Sequence, residues 1–369
     1  MQEVRTILTR EQQSYRVLAN ILMSGESSDD ALAILLPMEN YRQKTIYKLQ
    51  ADHFINRMQK DDLKGYRLTR HGKNIMLALD AERFSFFGAV GADYSMRRTT
   101  VSTRKRQHRI SETAAMMEGA GIEIYRDNKK DVFEKEPMQS GIDQQAAFFL
   151  PKEVKSQIDL TRKIKNSRIT GVFLSRHKLW LCYNFLDEMP NWYENVENRA
   201  DILLRSMLRE ELEGQEHANA LLFGRSMEQM KQYLSDNRQR AFLRSSVFEK
   251  ICFVPLDEKG ILLLRMLSSK EQYEYLLAVL SEDMQPSNEM EYFIHDGFNA
   301  DGQPVLFFLD GDLKRLILFQ MQMQMLYAGR RAEVICFDFQ KEAVREYCGE
   351  ETKISEVLYE KVRELFSER

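Results

Sequence analysis

The sequence is poor in proline and glycine, with 7 and 17 in 369 residues. That scarcity excludes a collagen-like, low-complexity or mostly disordered chain. Cysteine is also scarce: Cys182, Cys252, Cys336 and Cys348 make 4, with no CxxC pair. The first three sit in apolar runs (LWLCYNF, ICFVPL, VICFDF), where reduced cysteine behaves as a small buried hydrophobe, so neither a zinc site nor a disulfide framework is expected. No run of about 18 apolar residues exists to span a bilayer, and the opening MQEVRTILTREQQ lacks the apolar core of a secretory signal. These absences predict a cytoplasmic protein with no membrane partner. Catalytic signatures are missing too. There is no GxSxG or HExxH, and the 6 histidines (His53, His71, His108, His177, His217, His295) have no ligand-like spacing, so no cofactor or metal is expected.

What is present is enough apolar material for real cores, 43% of the residues, in a length that suits two or three domains. The 53 Lys+Arg against 56 Asp+Glu leave a net charge of −3, which by itself argues against a nucleic-acid partner. Its distribution argues otherwise. Residues 1–168 carry 29 basic and 22 acidic residues, net +7, and residues 169–369 carry 24 and 34, net −10. Such asymmetry points to an anionic partner for the first part of the chain.

Val17, Leu18, Ile21 and Leu22 recur at helical spacing before Gly25; Ser27 or Ser28 can cap DDALAILL, which Pro37 ends. Asn40 opens a third helical segment, YRQKTIYKLQADHFINRMQ. In it Ile46, Leu49, His53, Phe54 and Met58 form one inward stripe, and Arg42, Gln43, Lys44, Tyr47 and Lys48 face outward. A turn at Lys64-Gly65, a short strand YRL and a helix capped by Thr69 follow. Three helices, a hairpin and a closing helix are the order of a winged helix-turn-helix. The segment YRLTRHGKNIM resembles the wing strand and following helix of winged-helix DNA-binding domains, in which the third helix enters the major groove.

Residues 41–76 hold nine Lys/Arg and three acids. Gln43 suits a base edge, Arg42, Lys44 and Lys48 suit phosphates, and Lys64, Tyr66, Arg67, Arg70 and Lys73 extend the surface along the wing. Winged helices also serve as protein-interaction modules, and that reading stands beside DNA binding. The GYRLTRHGK stretch is not a phosphate-binding loop, because six residues separate its glycines where a Walker loop has four.

Residues 96–110, MRRTTVSTRKRQHRI, carry Arg97, Arg98, Arg104, Lys105, Arg106 and Arg109 with no acid. They read as an arm tracking DNA phosphates. The alternatives are a solvated linker and internal pairing with the acidic half. Beyond them, apolar strands (IEIY, GVFLS, LWLCYNF, ANALLFG, ICFVPL, QPVLFFL, AEVICFDF) alternate with helices, including QMQMQM and a terminal SEVLYEKVRELFSER. That alternation predicts βαβ units and a mainly parallel or mixed sheet. The expected organisation is a winged-helix domain at residues 1–85, a basic connector at 86–110 and an acidic α/β domain at 111–369.

Asp296, Asp310, Asp312 and Lys314, in YFIHDGF and FFLDGDLK, have the D…DxK pattern of a Mg²⁺-dependent nuclease, where carboxylates hold the metal and lysine steadies developing charge. DGD is also an ordinary turn that caps the helix after it.

The order of parts resembles the replication-relaxation family, winged-helix accessory proteins of plasmids and integrative elements. LTREQQ, YRLTRHGK, RKRQHRISETAAMMEGAGIE, GVFLSRHKLWLCYNF and ICFDFQ carry the resemblance. It implies a degenerate nuclease-like α/β domain behind a DNA-binding head, with Ser175 and Asn184 where an active nuclease would have carboxylates. The expected function is a non-catalytic duplex-DNA-binding accessory protein of a mobile element, with a relaxase or replication protein as partner or a second copy in a homodimer. A winged-helix transcription regulator, a nuclease and a pure interaction protein are the alternatives.

Overall fold

In the computed structural model, residues 9–88, 99–130, 132, 146–157, 168–212, 214–286, 294–326 and 329–366 are described. The chain divides into two units: Met1–Gln157 with Thr170–Val172, and Ile158–Ile169 with Phe173–Arg369. The division falls some fifty residues later than the sequence boundary at 110, because residues 111–157, together with the basic connector, belong to the first unit.

In unit 1, Val17, Leu18 and Ile21 line the buried face of α1 (Gln13–Ser24), and Gly25 closes that helix at φ 87°, returning its N–H to the Ile21 carbonyl. β1 (Ser27–Ser28) follows. The Ser28 hydroxyl accepts from Ala31 N and so caps α2 (Asp29–Leu35), whose first turn carries Asp29 and Asp30, as a helix N-terminus favours. After Pro37 come α3 (Glu39–Ala51), β2 (Ile55–Lys60), β3 (Leu63–Leu68), α4 (Arg70–Leu79) and α5 (Ala81–Gly88). The strands form an antiparallel sheet in the order β1-β3-β2. This is the winged-helix order, with three local corrections. α3 ends at Ala51, and His53 turns the chain at φ 56°, so Met58 lies in β2 rather than on a helical stripe. The wing turns at Asp61-Asp62, with Asp61 at φ 53°, and Gly65 is mid-strand opposite Met58.

The third correction concerns the basic segment. From Val101 it is α6 (Val101–Gly119), one helix that runs on through SETAAMMEG and not an extended arm. Thr100 caps it by accepting from Thr103 N. The predicted strand IEIY reduces to one bridge, Glu123 to Ala147. β4 (Ala147–Phe149) lies beside the Thr170–Val172 part of β5 (Ile169–Ser175), and α7 (Pro151–Gln157) completes the unit.

Unit 2 is mixed α/β. β5 turns through Arg176-His177, at φ 52° and 60°, into β6 (Lys178–Asn184). Then come α8 (Glu194–Met207), β7 (Asn219–Gly224), α9 (Met227–Ser235), α10 (Asn237–Leu243), β8 (Ile251–Pro255), α11 (Glu258–Ser268) and α12 (Lys270–Leu280). After β9 (Gln285–Pro286) follow β10 (Gly297–Phe298), β11 (Pro304–Phe307), α13 (Leu313–Leu326), β12 (Ala332–Phe337), α14 (Lys341–Cys348), β13 (Thr352–Val357) and α15 (Tyr359–Leu365). β6, β7 and β8 pair in parallel, as do β11, β12 and β13. The chain thus runs twice through one order: paired strands, helix, parallel strand, helix, parallel strand, helix. Sequence echoes mark equivalent points, FLD at 185–187 and 308–310, and LDEK at 256–259 against LYEK at 358–361.

Every residue of β7, β8 and β11 is buried, which accounts for their unbroken apolar text. β13 is the edge of its sheet and is only half-buried, so Ser355-Glu356-Val357 reads as the start of the terminal helix in the sequence although it is strand. QMQMQM lies in α13, a helix as its length and flanks predict. Among the described residues no helix is long and apolar enough to cross a membrane.

Candidate nucleic-acid interface

α3 is amphipathic by position rather than by hydrophobicity. Thr45 and Leu49 are its buried residues. Asn40, Gln43, Lys44, Tyr47 and Lys48 recur at helical spacing on the opposite side and are all exposed, Tyr47 at 76%. Thirteen residues make this face about 20 Å long. Gln43 Nε2 donates to Glu39 Oε1 at 2.9 Å, holding the amide over the helix surface. Arg42 is half-buried and donates to the Leu36 carbonyl at 2.8 Å, so it braces the turn between α2 and α3 as much as it faces outward.

The wing adds exposed Arg57, Lys60 and Lys64, with Asp61 and Asp62 between them at its tip. Arg57 and Lys60 were missing from the sequence reading. The alternation of INRMQK marks them, once that stretch is recognised as strand and not helix.

Other predicted contacts are not on this surface. Arg67, Arg104 and His108 converge on Glu26, which is fully buried. Arg67 Nη2 lies 2.7 Å from Glu26 Oε2, Arg104 Nη2 lies 2.7 Å from Oε1, and His108 Nε2 donates to Oε1 at 2.7 Å. Burial alone would raise the Glu26 carboxyl; hydrogen bonds from His108 and Arg104 and the charge of Arg67 outweigh it and hold the group at about 2. Arg104 also donates to the Met58 and Leu63 carbonyls, clipping the wing hairpin to α6. Gly65 is the reason the hairpin can approach. A Cβ there would lie 2.6 Å from His108 Nε2 and 2.7 Å from Glu26 Oε1.

Arg67 and Arg104 are therefore structural cations, 4% and 2% exposed, and not phosphate contacts. Tyr66 is corrected in the same way: it is 6% exposed, and burial raises its phenol. Arg70 is exposed and Lys73 half-buried, and the two line a cavity with Arg67. Lys105 is half-buried and Arg106 exposed on α6. Arg97 and Arg98 lie outside the described residues.

The acidic constellation of unit 2 is engaged in the fold. Asp312 accepts from Ile251 N at 3.2 Å and Arg315 N at 3.3 Å, tying the start of β8 to the start of α13. Burial, then the neighbouring Asp310 charge, pushes its carboxyl up to about 6. Asp310 lies 3.4 Å from Lys250 Nζ, and Asp296 pairs with Arg315. Lys314 donates to the Ser245 and Phe248 carbonyls at 2.9 and 2.6 Å. In the β5–β6 pair, Ser175 donates to the Leu267 carbonyl and Asn184 Oδ1 accepts from Leu186 N. Among the described residues no group of three or more His, Cys, Asp or Glu is arranged to hold a metal ion. Comparison with family models, with curated proteins and with solved structures finds no match to this chain.

Proposed function

We propose that the chain is a duplex-DNA-binding protein whose winged helix lays α3 in the major groove, with Gln43 reading a base edge, Lys44 and Lys48 on phosphates and Tyr47 packing against the backbone. Arg57, Lys60 and Lys64 of the wing meet the adjacent phosphates. The observation that carries this reading is the outward stripe of α3: it is wholly solvent-exposed, has two cations and no acid, and sits where winged helices present their reading surface. On the resemblance in the sequence, the chain is a non-catalytic accessory protein of a mobile element, with acidic unit 2 engaging a relaxase or replication protein.

Fluorescence anisotropy with a labelled mixed-sequence duplex tests the interface. Lys44→Glu with Lys48→Glu should weaken binding at low salt by tenfold or more and flatten the log–log salt dependence by about 2, roughly one unit per phosphate contact removed. Unchanged affinity would refute the assignment of α3.

A further inference from the structure

Unit 1 contains a cavity of about 540 Å³ that the DNA-binding reading does not use. Its walls come from the ends of α1 and β3, from α4 and α5, from Gln107 and Ile110 of α6, and from Leu150–Lys152 at the start of α7. Ile21, Leu77, Phe87 and Ile110 make about half of the wall apolar, Arg70, Lys73 and Lys152 add three cations, and among the described residues no carboxylate lines the space. Arg67 also borders it, sharing the Glu26 carboxylate with Arg104. The surplus positive charge acts within the wall: burial, and then the charge of Lys73, lower the Lys152 ammonium. Lys152 stays in place by donating to the Phe86 and Phe87 carbonyls at 2.7 and 3.3 Å. Gln107 also lines the wall, its Oε1 buried without a hydrogen-bond partner.

We propose that this cavity binds a small amphipathic anion: a carboxylate or phosphate head held by Arg70, Lys73 and Lys152, and an apolar body against Leu77, Phe87 and Ile110. The volume lies in the range of small-molecule sites, and apolar walls with a few placed polar groups are their usual composition. A nucleic-acid backbone would use the cations but not the apolar side chains of the wall. The proposal stands independently of α3.

Calorimetric titration of the full chain with decanoate, decyl phosphate, decanol and inorganic phosphate tests it. One equivalent of decanoate or decyl phosphate should bind, the tighter of the two identifying the head group. Decanol and inorganic phosphate should each bind at least about tenfold more weakly, because each lacks half of the interaction. Arg70→Gln with Lys73→Gln should cost tenfold or more in affinity for the anions. Among the described residues neither side chain has a carboxylate partner, and thermal unfolding of the variant checks that it folds. Ile110→Glu, which sets a charge against the apolar body, should abolish binding, and Lys44→Glu with Lys48→Glu should leave it unchanged. Binding that ignores the cavity variants, equal binding of inorganic phosphate, displacement of decanoate by duplex DNA, or no saturable binding would each overturn the proposal.

Discussion

Glu26→Gln keeps the size of the side chain and removes its charge, leaving the Arg67 and Arg104 guanidiniums buried with no counter-charge. The carboxyl titrates at about 2 in the folded chain against an ordinary 4.5, and at about 1.4 kcal/mol per unit that difference corresponds to roughly 3 kcal/mol. Removing one partner of a buried ion pair typically costs about 3–5 kcal/mol, so the two routes agree. For a unit of this size a urea dependence of about 2 kcal/mol per molar makes the expected fall in midpoint about 2 M. Trp180 and Trp192 both belong to unit 2, so their fluorescence follows that unit and not the Glu26 cluster. Hydrogen exchange of peptides from α6 and the wing, followed across urea, reads unit 1. Because the folded value lies below the unfolded one, the contribution of Glu26 is complete above about pH 4.5 and is lost as pH falls toward 2. The combined change Glu26→Leu, Arg67→Met and Arg104→Met should recover most of the stability, since apolar replacement of a whole buried ionic cluster is often neutral. A shift below about 0.5 kcal/mol in the single variant, the size of an ordinary surface change, would refute the reasoning.

Two further outcomes follow from the packing. A Cβ on Gly72 would lie 2.2 Å from the Phe54 carbonyl oxygen, so Gly72→Ala should push α4 off the hairpin and cost about 1–3 kcal/mol. The exposed Asn74→Ala on the same helix should stay within about 0.5 kcal/mol, and the two are compared by thermal unfolding. In unit 2, burial raises the Glu197 carboxyl to about 6 even though Tyr183 donates to it at 2.5 Å. The unfolded carboxyl then ionises first, so stability should fall by about 2 kcal/mol as pH rises from about 4.5 to 6 and level off above. Glu197→Gln should remove that part of the slope and leave the part due to Asp312, which burial also raises to about 6. Trp192, 5.3 Å from the Tyr183 ring, reports it by fluorescence.

Local chemistry was legible wherever the residues concerned are neighbours in sequence. Ser28 and Thr69 cap helices as their positions predict, Gly25 ends α1, and Gln43, Lys44, Tyr47 and Lys48 of α3 face outward as periodicity predicts, whereas Arg42 of the same expected stripe is drawn in to the Leu36 carbonyl. The continuous apolar strands of unit 2 announced parallel pairing because burial on both faces leaves no polar alternation to read. β13 was misread because an edge strand is half-wet, and its Ser355-Glu356-Val357 runs into a helix without a break. Gly65 was placed in a turn because glycine usually marks one, whereas its role is to admit a carboxylate and an imidazole from elements far along the chain.

The amino-acid sequence by itself determined where positive charge concentrates, which face of α3 is left bare and that unit 2 builds parallel strands. Tertiary structure alone decided which cations remain available. Arg67 and Arg104 read as phosphate contacts, yet both are taken up by Glu26, 41 and 78 residues away in sequence. Arg70 and Lys73 turn to a cavity that Lys152 completes from the far end of the unit. Periodicity gives the direction of a side chain about its own helix or strand, whereas its partner is set by which remote segments the fold brings within a few ångströms.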